Sequence, residues 1–245
     1  MKLAFYPLLL LLLSATSTAS QTVPSSQLEA AVLRGDLVEL ETIHQRIEAE
    51  MATGTAADEP RLYLWAYSGW RVSQRLPKQR KRDRSKLLKS IQRGLEEWLE
   101  AHPDDAEALA LLGSVLGDRI SGPLSAMRLG GKASEALEQA FRLAPENPRV
   151  ALQRGVGFFF TPGAFGGGKD KAVLELRRAK SLFEANDSAL AASGWGYPDT
   201  LARLGEVLAA LEQFDAARSV YGQALAIAPD FTRVRDELLP SLPPA

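Results

Sequence analysis

The stretch from Pro198 to Phe231, PDTLARLGEVLAALEQFDAARSVYGQALAIAPDF, constrains the fold more than any other part of the chain. Its 34 residues read as two short amphipathic helices joined by a turn. Leu201, Leu204, Gly205 and Leu208 fall at helical spacing on the first helix. Ala217, Tyr221 and Ala224 do so on the second, and Pro229 closes the unit. Two helices this short present an apolar face that they cannot bury alone, so the unit requires stacked neighbours.

The same period can be laid on the earlier sequence. Leu109, Leu112, Gly113 and Leu116 repeat the first-helix pattern, with Asp104 and Glu107 as a capping pair. Ala133, Leu137, Ala140 and Pro145 repeat the second. Pro148 opens the next unit, where Ala151, Gly155 and Phe158 match, followed by Ala172, Leu176 and Ala179. A weaker copy precedes these: Trp65, Gly69 and Val72, then Ile91, Leu95, Trp98 and Pro103. This pattern resembles the tetratricopeptide repeat (TPR) family over residues 62–231, in about four repeats. The resemblance implies an all-α fold, an α-α superhelix of stacked helical hairpins whose groove binds a protein or peptide. The sequence departs from the family pattern at Arg154, which stands where leucine is usual and needs a partner or an exit to solvent.

Three repeats also carry extra residues. From Gly205 to Ala217 the regular repeat needs 12 residues, whereas Gly69 to Ile91 takes 22, Gly113 to Ala133 takes 20 and Gly155 to Ala172 takes 17. The insertions lie near 73–90, 118–132 and 161–169, each between a first helix and its second, so as loops they emerge on one edge of a stack. A further insertion near 185–197, containing Trp195 and Tyr197, separates two repeats. The run from Arg71 to Arg93 holds ten basic residues opposed by Asp83 alone. Arg75, Lys78, Arg80, Lys81, Arg82 and Arg84, with Lys169 farther on, are the candidates for an anion-facing edge. Set against this, a charge run more commonly just keeps a surface wet.

Phe158–Phe160 cannot all face one way on a helix, which makes Phe159 or Phe160 a candidate for the groove, with the Trp195–Tyr197 loop closing over it. By the repeat frame, Arg149 and Arg203 also face the groove. The resemblance implies a carboxylate-gripping clamp there, but its asparagines and lysines are missing, and Glu107, Asp199 and Glu206 stand nearby instead. GAFGGGKD (163–170) imitates a phosphate loop, yet Asp170 replaces the hydroxyl that would hold magnesium and is better read as the N-cap of a helix.

Around the repeats, residues 25–52 read as a helical hairpin turning at Gly35-Asp36, and 232–245 as a capping helix and tail. Residues 1–19 read as a signal peptide: Lys2, an apolar core from Pro7 to Leu13, and small residues before a cleavage site after Ala19. The expectation is a periplasmic or secreted protein. With no cysteine and only His44 and His102, neither a thiolate nor a histidine-built metal site is expected. No nucleophile with a base nominates itself, so no enzyme activity and no cofactor are expected. The expected function is an interaction scaffold binding a protein or peptide, and no nucleic acid. Two alternatives stay open: a capture accessory of an envelope transporter, and association with an anionic membrane surface or polyanion.

Overall fold

A computed structural model describes residues 22–52, 59–185 and 195–244, and among these every regular element is helical. The signal-peptide reading, and the part of the last insertion from 186 to 194, lie outside the described residues. Ten α-helices follow in order: α1 Ser25–Arg34, α2 Leu37–Ala52, α3 Glu59–Arg75, α4 Lys81–Ala101, α5 Ala106–Asp118, α6 Pro123–Leu143, α7 Pro148–Phe160, α8 Lys169–Glu184, α9 Tyr197–Ala210 and α10 Phe214–Ile227. A π-helical segment, Arg233–Leu238, ends the stack.

The chain begins with a hairpin. Gly35 adopts a left-handed φ of 68°, a conformation costly for other residues, and its N–H closes α1 on Ala31 and Val32. Asp36 then accepts from the Glu39 amide to start α2. The four pairs α3/α4, α5/α6, α7/α8 and α9/α10 stack in succession. The periodic glycines explain how closely the pairs approach. A Cβ on Gly113 would stand 2.7 Å from Leu137, on Gly155 2.8 Å from Leu176, and on Gly205 2.2 Å from Tyr221. Each glycine takes the press of a bulky residue from its partner helix, so side-chain size fixes the period. Gly69 plays the same part against Ile91, at 3.0 Å, and also admits His44 of α2.

Two capping expectations shift by one or two residues. Asp105, not Asp104, caps α5 through the Ala108 amide at 2.9 Å, and Glu107 turns to other partners. Gly168 stands at the start of α8, so Asp170 lies within its first turn, where a carboxylate still suits the helix dipole. Asn147 caps α7, accepting from the amides of Arg149 and Val150. The glycine-rich segment joins two helices: Gly168 N–H bonds Phe158 O at 2.9 Å, and Gly167 lies against the Thr161 backbone. No strand precedes it, which removes the phosphate-loop context.

The insertion at 161–169 is a turn, as expected, but those near 73–90 and 118–132 are largely helical. The extra residues of these two prolong the second helices, so that α4 and α6 run 21 residues where α10 runs 14, about two additional turns each. Strong helix formers (Lys, Arg, Leu) dominate the first of these, where propensity favours extending the helix, while in the second Pro123 at the first turn starts α6 early despite Gly130 and Gly131. Arg154 has the partners it needs: its guanidinium donates to Glu138 and Glu175 at 2.9 Å and stacks on Phe141 and Phe158.

The two ends of the stack meet. Thr232 Oγ1 donates to the Arg34 carbonyl at 2.9 Å, and Phe231 and Val234 bury beside it. The terminal segment thus does more than cap the last repeat, because it also touches the corner between α1 and α2.

Candidate functional site

The helices α3, α5, α7 and α9 run side by side, and their inner faces line what is an open groove in a looser superhelix. Here that face is filled by the chain itself. Trp195, 7% exposed, lies 4.2 Å from the Tyr67 ring and 6.1 Å from Tyr63. Arg149 lies over the indole ring at 4.8 Å. The same guanidinium donates to both carboxylate oxygens of Glu107 at 3.0 Å, and Asn147 adds a bond to Glu107 at 2.8 Å. Across the face, Arg71 of α3 pairs with Asp199 of α9 at 3.1 and 3.2 Å, both nearly excluded from water. Arg203 pairs with Glu206 at 3.1 Å, and Arg233 from the terminal segment joins them.

One carboxyl in this face has no cation bonded to it. Glu29 of α1, 5% exposed, has its Oε2 at 3.5 Å from the Tyr67 hydroxyl, while its Oε1 has no hydrogen-bond partner. Burial, and then the neighbouring Asp199 carboxylate, push its pKa up to about 8. Burial likewise holds the hydroxyls of Tyr63 and Tyr67 far above the usual tyrosine range. For Arg71, burial is the largest influence and opposes the charge, but Asp199, Tyr67 and Glu29 together outweigh it and the guanidinium stays firmly protonated. The cluster neutralises itself pair by pair. Its chemistry is that of a polar core holding α1, α3, α5, α7 and α9 together.

Arg149 and Arg203 therefore do face the groove, but they are committed to Glu107 and Glu206. Trp195 packs inside and is not a lid over phenylalanines. Phe159 is half-buried and Phe160 is 68% exposed at the far end of α7, about 16 Å along the helix from Arg149. Tyr197 belongs to neither group, since its hydroxyl donates to Glu184 at 2.7 Å. The residues missed on sequence are Glu29, Tyr63, Tyr67 and Arg71. The available signal was Arg71 itself, placed directly after Trp70 on the face that the repeat frame buries.

The opposite case is the edge where first helices turn into second ones. Trp70 Nε1 and Gln74 of α3 both donate to Asp118 of α5, at 2.8 and 3.3 Å. Ser114 of α5 donates to Gln153 of α7 at 2.7 Å, and Lys169 reaches the Ala210 carbonyl of α9 at 2.6 Å. The turns at 76–80, 119–122 and 161–168 consequently share one edge. Arg80 there pairs with Glu41 at 2.5 Å and Asp83 at 3.0 Å, and Arg84 donates to the Ser73 carbonyl. Arg75 is half-buried near Gly35, where burial and then Arg71 lower its pKa. Lys78, Lys81 and Arg82 are exposed. Beside Leu124, between Ser121 and Arg128, the edge has an open concavity of about 340 Å³.

The architecture matches solved structures. TTC0263, a thermophilic TPR protein of Thermus thermophilus, aligns with TM-score 0.60 over 86% of this chain and 93% of that one, at 18% identity. The fold is tetratricopeptide-like. MamA aligns with TM-score 0.43 at 22% identity, over 65% of this chain and 79% of that one. The MamA RS-1 ArsTM double mutant gives TM-score 0.41 at 12% identity, covering 88% of this chain and 99% of that one. No protein-family model matches the sequence, and no curated protein does.

Proposed function

We propose that the chain is an exported interaction scaffold without enzyme activity, which binds a protein or peptide partner on its outer surface and not in its groove. The filled concave face carries this reading. Trp195 and the pairs Arg71–Asp199 and Arg149–Glu107 occupy the positions a groove ligand would take. The TPR-like stack favours an interaction role, because its rigid helical pairs offer extended surfaces. Export rests on the leader-like first 19 residues, which point to a periplasmic or secreted location. The transporter-accessory alternative draws no support from Phe160, which is 68% exposed at the end of α7.

The test exploits the lack of native cysteine. Arg34→Cys and Thr232→Cys, joined by a short bis-maleimide, lock the ends of the stack together. The locked protein is expected to capture the same partner from envelope extract as the unlocked one. Loss of capture on locking places the partner in an opened groove and overturns the reading.

A further inference from the structure

The turn edge combines two features, exposed apolar side chains and an excess of basic ones. Four large apolar side chains stand in water there: Leu124 at 85% exposure, Met127 at 84%, Phe165 at 79% and Phe160 at 68%. Leu124 and Met127 lie three residues apart on the first turns of α6, so they share one helical face. Phe160 ends α7 and Phe165 sits in the short turn that follows. They are protruding tips, and isolated exposed apolar residues are ordinary, but four on neighbouring turns of one edge form a group.

Charge is concentrated on the same edge. Segments 76–86, 119–132 and 161–171 contain 11 lysines and arginines against Asp83 and Asp170, in a chain whose net charge is −1. Some of these cations are engaged, such as Arg80 with Glu41 and Lys169 with a carbonyl. No ion pair among the described residues engages Lys78, Lys81, Arg82, Arg119, Arg128 or Lys132. Arg119 lies close enough to Arg128 that, after burial, the neighbouring charge lowers its pKa. Segment 119–132 contains no carboxylate to separate the two.

We propose that this edge docks on an anionic lipid bilayer, with Leu124, Met127 and Phe165 entering the interfacial layer and Lys81, Arg119 and Arg128 meeting headgroup phosphates. A fluid interface accepts protruding tips wherever they fall, whereas a folded acidic partner would need a matching pocket for each. Basic residues near an anionic surface contribute on the order of 1 kcal/mol apiece, and apolar tips add burial that salt does not screen. This inference goes beyond the scaffold reading and does not rest on it. A partner can be lost while lipid binding persists, and the reverse.

The experiment uses the mature chain with phosphatidylcholine vesicles, with and without phosphatidylglycerol, in low and high salt. Co-sedimentation is expected only with the anionic vesicles, weakening as salt rises. Leu124→Ser, Met127→Ser and Phe165→Ser together should lower the affinity about tenfold or more. Arg119→Gln with Arg128→Gln should weaken binding and flatten its salt dependence. An environment-sensitive dye on Leu124→Cys should shift to the blue on adding anionic vesicles, which reads insertion apart from any change in folding. Failure to bind anionic vesicles at low salt overturns the proposal. So does a dye that stays aqueous, or an affinity indifferent to the apolar substitutions. Capture of an acidic protein by this edge in place of lipid overturns it equally.

Discussion

The concave face and the turn edge are built from the same residue types, arginines, carboxylates and aromatics, and arrive at opposite states. On the concave face nearly every charge meets its opposite within about 3.2 Å and is partly or wholly shielded from water. On the edge, cations outnumber carboxylates and apolar tips remain exposed. The contrast teaches that charge in a helical stack is structural or available according to where winding puts it, not according to its density in sequence. Arg71 opens the basic run, yet it is the one member that reaches across the superhelix to Asp199, 128 residues away.

The largest effect should come from breaking that reach. Arg71→Met leaves Asp199 buried without its cation and should cost about 3–5 kcal/mol, read as a lower midpoint in urea. Adding Asp199→Leu removes the orphaned carboxylate and should recover a large part of the loss. If the single substitution costs nothing, the concave face is not closed in solution.

Glu29 sharpens the comparison through pH. Its carboxyl is raised from 4.5 when exposed to about 8 in the fold. Below pH 4.5 both states hold the proton, so Glu29→Gln should be nearly neutral. As pH rises from 4.5 toward 8 the unfolded chain releases a proton that the folded chain retains, and the native protein loses stability. Glu29→Gln should therefore be stabilising by about 1–3 kcal/mol near pH ~8 and by little near pH ~4. Thermal melts of both proteins across that range check the sign, and a gain that grows toward acid pH would contradict the buried site.

The smallest effect belongs to the edge. Lys81→Ala with Arg82→Ala should change stability by no more than about 0.5 kcal/mol, since both side chains are exposed and neither has an ion pair to lose. A large loss would show these cations to be part of the fold.

The sequence carried the repeat frame well, because it rests on local packing. Gly113, Gly155 and Gly205 mark the points where Leu137, Leu176 and Tyr221 press in, and a fixed spacing reveals such contacts. The count of inserted residues was equally legible, but not their conformation. Two extra helical turns and a loop have the same length on the page, and only helix propensity separates them. Caps slipped by one or two residues, as Asp104 gave way to Asp105, because adjacent acids serve equally until the backbone chooses. The repeat frame placed Arg149, Arg203, Glu107, Asp199 and Glu206 along the groove, but it did not reveal that the chain fills it. Trp195 against Tyr67, Arg71 on Asp199 and Thr232 on Arg34 depend on the pitch of the whole superhelix, which small angles between successive pairs accumulate.

Closure of the stack is the claim on which the rest depends, and one distance tests it. Spin labels on Arg34→Cys and Asp230→Cys, both at exposed positions in a protein without native cysteine, report the gap between its first and last elements by dipolar spectroscopy. A closed stack gives a single narrow distribution at the short end of the measurable range, as the Thr232–Arg34 bond requires. A broad or long distribution would mean that the ends part in solution and the groove stands open.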